Sequence, residues 1–528
     1  MAKGQSPQGD QSLPLIKAGR GGIDEERDRK VREMRNADTI LGLIRERGTK
    51  RLPLERLYKL LFNQDLFLMA YAEMYRKRGA MARDVTEETP DGIPLVAIET
   101  IIEALRYERY QWQPTRRMQI LRNNGQKRPL GGMPGWSDRL LQEAIRLLLQ
   151  AYYEPRFSEY SHGFRPDRGC HTALREVSDR WKGTTWFIEG DISGCFHNLN
   201  HELILSTLST HIHDGRFLGL IRELLEAGYL EEWTMKKTLS GVPQGGIISP
   251  ILANILLDKL DVFVETTLIP HYTRGEERRA NLEYMRLNTR SHDYRQRGQL
   301  EKARKLRQRA QSLPSMDVKD PDYRRLRYVR YADDFLFGFI GPRSEAEEIS
   351  QALGRFLQEE LRVELLEAKT LITHARTEAA KFLGYEISTI QQDRKQGLRR
   401  STTGVESKCR TVSGKIGLRV PREVIEAKCQ RYMRNGKALR RSELEHASDF
   451  AIIALYQSEY RGIANYYRLA YNMHTLKRLK WVMENSLVRT LAHKLQVSLP
   501  RVYEQYGAEL MVDGRKYQVV GPTRKKTR

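Results

Sequence analysis

The sequence predicts an α+β protein in two parts: a body that mixes helices with antiparallel strands, then a helical C-terminal region. Three observations carry this. TTWFIEGD at 184–191 and the two runs flanking a turn within Tyr328–Ile340 are short and rich in β-branched and aromatic residues, the pattern of buried strands. Segments with apolar residues at helical spacing surround them. Beyond Gly404 helical patterns recur near 421–434, 442–470 and 473–496, which suggests a three-helix unit.

Taken in order, residues 1–50 form a polar N-terminal extension, read as disordered over 1–22 and as an exposed helix over 24–47. Leu57, Leu60, Leu61, Phe67, Leu68 and Tyr71 then recur at helical spacing, and further helices are expected at Pro94–Tyr107 and Asp138–Tyr152. Glu202–Leu230 reads as two helices broken at His213-Asp214-Gly215. Ser249-Pro250 opens the run ILANILLDKLDVFVETTL, with serine as the cap and proline in the first turn. Between Arg274 and Arg309 lie 12 Arg or Lys against 5 acids with almost no large apolar residue, so this stretch should stand away from the core. One further strand is expected at Lys381–Ile387, and the end of the chain, GPTRKKTR, reads as a loose basic tail.

Composition narrows the function. The 528 residues carry 90 Lys and Arg against 67 Asp and Glu, a formal net charge of +23. A surplus of this size, spread along the chain, suits a polyanion such as nucleic acid better than a membrane surface. Cys170, Cys195, Cys409 and Cys429 contain no close pair, which argues against a disulfide framework or a structural zinc site. No apolar run reaches a membrane-spanning length and the N-terminus, MAKGQSPQGD, lacks the apolar core of a secretion signal, so a reduced, soluble, intracellular protein is expected.

Two sets of acids then stand out. Asp191 ends a predicted strand, and Asp333-Asp334 lie at a turn between two apolar strands. Adjacent acids at a hairpin repel one another unless a cation neutralises them. A third acid from another strand would complete an oxygen-rich site suited to Mg²⁺. Two such ions can activate a hydroxyl and stabilise a leaving oxygen in phosphoryl transfer. A lone Asp-Asp pair is more often an ordinary polar turn; here its surroundings decide.

Those surroundings are seven motifs in order: RNNGQKRPLGGMP (122–134), SEYSHGFRPDRGCHTAL (158–174), FIEGDISGCFHNLNHELI (187–204), LSGVPQGGIISPILANILLDKLD (239–261), YVRYADDF (328–335), LEAKTLI (366–372) and FLGYEIS (382–388). Together they resemble the reverse transcriptases encoded by group II introns, often called maturases, over roughly residues 55–500. The resemblance implies a right-hand polymerase, with fingers and palm over 51–390 interrupted by a basic insertion at 274–327. A helical thumb or domain X follows over 391–500. The segment 501–528 would be a basic tail and a possible remnant of a DNA-binding segment.

Roles follow by position. Asp191, Asp333 and Asp334 match the catalytic acids that hold two Mg²⁺ ions, with the backbone carbonyl of Ile192 completing one coordination sphere. Phe196 matches the steric gate against a ribose 2′-hydroxyl, although its spacing alone would favour a core phenylalanine. Arg122 and Arg128 match residues that clamp the incoming triphosphate, for which forked donors are suited. Gln244, in the loop Pro243–Gly246, would contact the incoming nucleotide. Lys369 matches a proton donor to pyrophosphate, with a solvated lysine almost as good a reading. Phe382-Leu383-Gly384 matches the primer grip. The sequence departs from the family where His197 replaces the usual Asp and where RPLGGMP carries one extra residue.

The block at 64–83 and Tyr460–Tyr467 (YRGIANYY) resemble, respectively, the motif before the fingers and the tyrosine-rich core of domain X. The implied partners are group II intron RNA, target DNA and deoxynucleoside triphosphates, in the cytoplasm of a bacterium or in an organelle, with no membrane. The implied function is to assist splicing and to copy the intron into cDNA during retrohoming. Arg304, Lys305, Arg307 and Arg309 in the insertion are candidate RNA contacts. After the last predicted helix only a short segment remains, without paired histidines or cysteines, so a form lacking the H-N-H endonuclease domain is expected. Two other readings stay open: a domesticated reverse transcriptase serving antiviral defence or CRISPR spacer capture, and an RNA-binding splicing cofactor that no longer polymerises.

Overall fold

A computed structural model of the chain describes residues 36–76, 95–116, 118–121, 127–130, 134–192, 194–231, 234–236, 241, 246–317, 320–366, 370–391, 396–400, 406–410, 414–512 and 515–520. These fall into two compact units, one from Met1–Arg156 with Ile204–Ile251, the other from Phe157–Leu203 with Leu252–Arg528.

The first unit is built around the helix Trp136–Tyr153, which is buried on nearly every face. Against it lies the helix Ala37–Thr49, capped by the Asn36 side chain accepting from the Asp38 N–H at 2.9 Å. The helix expected to be exposed over 24–47 is thus present from Ala37 with one buried stripe, and residues 24–35 lie outside the described residues. Ala37, Ile40, Ile44 and Gly48 form a narrow buried stripe in an otherwise charged helix. At Gly48 any Cβ would collide with the Tyr152 carbonyl, so glycine permits the close approach. The expected disorder of 1–22 lies outside the described residues. The apolar pattern after Leu54 breaks into Leu57–Leu60 and Gln64–Arg76, followed by Leu95–Arg106. Leu54 exchanges backbone bonds with His211 and His213, and the Asp214 carboxylate accepts from the Tyr58 N–H at 2.8 Å. These bonds tie the helix break predicted at 213–215 to the N-terminal half of the unit.

The second unit carries a four-stranded antiparallel sheet, ordered Arg325–Tyr331, Asp334–Ile340, Trp186–Asp191, Ile372–His374. A second antiparallel sheet joins Ala380–Phe382, Tyr385–Thr389 and Ile416–Arg419. The single strand expected at Lys381–Ile387 is therefore a tight hairpin. Leu383 and Gly384 both take positive φ, +47° and +72°, which turns the chain back. The C-terminal helices are Arg422–Gln430, Asp449–Tyr466 and Leu476–Leu495. One apolar cluster, from Val177 and Phe187 through Tyr385 to Tyr456, Leu479 and Val502, joins these helices to the sheets.

Two further findings concern the basic insertion and the C-terminal segment. The insertion forms an antiparallel helical hairpin, Leu282–Gln296 and Leu300–Ser312. Its helices meet through small or single residues, Leu287, Ser291, Ala303 and Ala310, with the Ser291 hydroxyl donating to the Ala303 carbonyl at 2.7 Å. That pairing buries one leucine and otherwise small side chains, so the hydrophobic pattern hid it. Over 501–528, where a basic tail and possible remnant of a DNA-binding segment was expected, the helix Leu499–Tyr506 leads into a hairpin of Gly507–Val512 with Arg515–Val520. Val502 and Tyr506 are buried against the preceding helix, at the single-turn spacing of a short amphipathic helix.

Candidate active site on the four-stranded sheet

The sheet register brings the predicted acids to one end. Asp191 is the direct cross-strand partner of Asp334, and Tyr331 pairs with Asp334 to close a two-residue turn of Ala332 and Asp333. Ala332 has φ +57°, a left-handed conformation that normally asks for glycine. Two features hold it there. Gly163 of the SHGFRP motif presses its bare Cα against the Ala332 amide, leaving no room for a Cβ. The Arg330 guanidinium donates to the Ala332 carbonyl at 2.9 Å.

Arg330 itself is fully buried. It donates to both Asp261 carboxylate oxygens at 2.8 and 2.5 Å, to Ser161 Oγ at 2.9 Å and to Asn254 Oδ1 at 3.2 Å. The Tyr328 hydroxyl donates to the same carboxylate at 2.8 Å. A buried charge survives only with such complete pairing. Sequence reading passed over Arg330, Asp261 and Asn254. The signal was present as a charged residue in phase with the buried Leu326 and Tyr328 on the strand RLRYVRY, with an acid and an amide seven apart on the SPILAN helix.

The backbone next to the acids is likewise engaged. The Ile192 N–H donates to the Asp333 carbonyl at 3.4 Å, and the Asp191 carbonyl accepts from the Leu366 N–H at 2.9 Å. Burial, reinforced by the charges of Asp333 and Asp191, pushes the Cys195 thiol up to about 12. The thiol therefore lies in the field of acids from both strands. Among the described residues no three His, Cys, Asp or Glu side chains are grouped closely enough to hold a metal ion by themselves. The arrangement nevertheless fits a hard divalent cation: like charges directly opposite on neighbouring strands destabilise the pair, and oxygen is their sole donor type.

Phe196 is the second residue of the short helix Cys195–Asn198 just after Asp191 and is half-buried. Its ring meets Phe164 edge-on at 6.2 Å, and Phe164 in turn lies 6.4 Å from Tyr331. Phe164 is 56% exposed, with φ +55°, and its place beside the acids was not anticipated. Phe382 is buried, and the turn after it is held from the C-terminal helices. The Tyr466 hydroxyl donates to the Leu383 carbonyl at 2.8 Å, the Tyr467 hydroxyl to the Gly384 carbonyl at 3.2 Å. The Tyr466 carbonyl accepts from the Tyr385 hydroxyl and lies 2.7 Å from His171 Nε2. The tyrosine-rich run thus packs aromatics and fastens the FLG turn at once.

Arg122, Gln244 and Lys369 lie outside the described residues. Arg128 is placed by its backbone alone, opposite Ile120 in a hairpin of Met118–Leu121 with Lys127–Leu130. On the helical hairpin Arg304, Lys305, Arg307 and Arg309 are all exposed. Arg309 reaches Glu283 at 3.8 Å, while the other three have no ion pair among the described residues. No helix among the described residues is long and apolar enough to cross a membrane.

Comparison with known proteins agrees with this geometry. Residues 120–276 match the reverse transcriptase (RNA-dependent DNA polymerase) family, and residues 423–526 match the type II intron maturase family. The first match ends where the helical hairpin interrupts the chain, short of the Asp333-Asp334 turn. The group II intron-encoded protein LtrA of Lactococcus lactis subsp. cremoris is 38% identical over 473 residues, 85% of this chain and 76% of that protein. A putative COX1/OXI3 intron 1 protein of Saccharomyces cerevisiae is 32% identical over 86% of this chain and 55% of its own length. A 91 kDa protein in the cob intron of Schizosaccharomyces pombe is 34% identical over 89% and 58%. With motifs, sheet register and these relatives in agreement, the chain belongs to the group II intron-encoded proteins, as an RNA-directed DNA polymerase joined to an intron maturase domain.

Proposed function

We propose that this chain binds the group II intron that encodes it, assists its splicing, and copies it into cDNA on a target DNA during retrohoming. The observation that carries the reading is the direct pairing of Asp191 with Asp334 at a strained turn that also bears Asp333. Reverse transcriptases use divalent metal ions, and here Asp191, Asp333, Asp334 and the Ile192 carbonyl would hold two Mg²⁺. Bound there, the ions would lower the pKa of the primer hydroxyl and neutralise charge on the transferring phosphate. The chain's own residues do the remainder. Phe196, backed by Phe164, sets the space beneath the sugar. Arg122 and Arg128 draw in the triphosphate, Gln244 contacts the nucleotide, and Lys369 gives a proton to the departing pyrophosphate. The turn after Phe382 supports the primer end.

In this reading the chain is a right-hand polymerase with fingers and palm over 51–390 and a thumb or domain X over 391–500. The helical hairpin is an RNA-binding arm, because Arg304, Lys305 and Arg307 are exposed and make no ion pair among the described residues. Each phosphate contact steepens the dependence of affinity on salt. The test uses one preparation of the full chain with the intron RNA that encodes it. The protein should accelerate splicing and extend an annealed primer with deoxynucleotides. Replacing Arg304, Lys305, Arg307 and Arg309 together by Ala should weaken intron binding and flatten its salt dependence. Splicing unaided by the protein would overturn the maturase part, and unchanged affinity and slope would overturn the arm.

A further inference from the structure

The helix Leu476–Leu495 has an unusual outer face. Its single acid, Glu484, stands against Lys477, Arg478, Lys480 and Arg489, while Lys494 turns inward to pair with Asp449 at 2.6 Å. In the middle of this face Trp481 is 63% exposed. Lys477, Trp481, Asn485, Arg489 and His493 follow one another at intervals of four, the spacing that lines residues up along one helix ridge. Sixteen residues of helix span about 24 Å, the length of several nucleotides of an extended strand. A tryptophan this exposed costs solvation without stabilising the core; most of the core-facing positions of the same helix, including Leu479, Val482, Met483, Leu487 and Leu491, are filled.

The ridge ends in an open cavity of about 740 Å³, within the ~300–1,000 Å³ typical of ligand sites. Arg489 and His493 form one wall; Arg434, Lys437 and Arg440, from and just after the small hairpin Met433–Arg434 with Lys437–Ala438, form the other. Asn435 and Gly436 turn that hairpin with φ +50° and +74°. Leu439 and Leu499 supply apolar lining. Among the described residues Arg434, Lys437, Arg440 and Arg489 make no ion pair, although Arg441, one position away, is paired to Glu443 and Glu459. Four cations kept apart from acids around an apolar-lined hollow suit phosphate together with an unstacked base. An exposed indole among cations suits a neighbouring base by stacking.

We propose that this ridge and cavity form a binding surface for an unpaired RNA strand. One base stacks on Trp481, and the strand runs along the helix to place a phosphate and an unstacked nucleotide in the cavity of Arg434, Lys437, Arg440 and Arg489. The proposal rests on the reading that the chain binds its intron RNA, and it identifies where a single-stranded segment is taken. It is independent of the acids on the four-stranded sheet.

The test measures affinity of the full chain for a labelled, unstructured oligouridylate of about ten nucleotides, and for the intact intron RNA. Trp481→Ala should weaken oligouridylate binding about tenfold, as expected for one lost stacking contact, while Trp481→Phe retains most of it. The pair Arg440→Ala and Arg489→Ala should lower the salt slope by about 1.4, two contacts at roughly 0.7 each for a single strand. Extension of a pre-annealed primer should stay within twofold of the parent, which shows that the variants are folded. If intron RNA binds normally and oligouridylate binding ignores all these changes, the surface is wrong while the RNA-binding reading stands. If the parent chain binds no intron RNA, that underlying reading fails instead. Loss confined to an equivalent oligodeoxythymidylate would overturn the assignment to RNA.

Discussion

Arg330→Met tests how the catalytic turn is held. Methionine matches much of the arginine stem but removes every donor, so Asp261 keeps only the Tyr328 hydroxyl among the described residues. Ser161 Oγ, Asn254 Oδ1 and the Ala332 carbonyl lose a partner at 2.9, 3.2 and 2.9 Å. Breaking one side of a fully buried ion pair costs about 3–5 kcal/mol, a large share of the roughly 5–15 kcal/mol that stabilises a domain. The variant should fold in the cold and unfold at markedly lower urea. Adding Asp261→Leu removes the stranded carboxylate, and paired apolar replacement is typically neutral or better, so the double variant should recover most of that stability. It should not recover activity, because the turn bearing Asp333 then keeps only the Gly163 contact and has lost the guanidinium that fixes the Ala332 carbonyl. Urea titration of single and double variants, with primer extension at low temperature, separates the two effects. A loss below about 1 kcal/mol in the single variant, the low end for one buried polar group, would refute the reasoning. So would a double variant that extends primers like the parent.

Three other outcomes are expected. Tyr466→Phe removes the hydroxyl that holds Leu383 and leaves the ring, so a net loss of about 0.5–1.5 kcal/mol should appear as a several-fold rise in KM for primer–template with intron binding unchanged; an unaltered KM would show that the turn holds itself. Phe196→Val opens space beside Phe164, and discrimination against ribonucleotides in single-nucleotide addition should fall at least about tenfold, as for a pocket changed by a few carbons; unchanged discrimination would return Phe196 to a packing role. Burial, aided by Arg168 and Arg165, depresses the His162 imidazole to about 4 from its ordinary 6.5. It is neutral when folded, so its contribution is complete above pH 6.5 and is lost as pH falls toward 4, worth roughly 3 kcal/mol at most. Urea titrations at pH 7 and pH 4.5 should show this loss in the parent and a smaller one in His162→Gln.

Much of the site was legible because its signals are local. The strand ending on Asp191, the turn bearing Asp333-Asp334 and the serine-proline helix start each lie within a few residues of sequence, and the structure pairs them as a sheet register requires. What escaped depends on contacts between distant segments. Arg330 looks like one more arginine on a mixed strand until Asp261, 69 residues away, is placed beside it. Gly163 and Ala332 explain one another only in space. The helical hairpin of the insertion packs through alanine and serine, which hydrophobic patterning does not register, and the hairpin at Leu383-Gly384 needs a positive φ at a leucine. The N-terminal helix seemed exposed because just four of its residues are buried.

The central claim is that Asp191, Asp333 and Asp334 form the metal-dependent polymerase site of an RNA-binding protein. The most direct test is primer extension on an RNA template by the parent chain and by the variant with Asp333→Ala and Asp334→Ala, across a Mg²⁺ titration. Intron RNA affinity is measured on the same samples. Mg²⁺-dependent cDNA is expected from the parent, none from the variant at any Mg²⁺ concentration, and equal RNA affinity from both. Measurable cDNA from the double variant would contradict it.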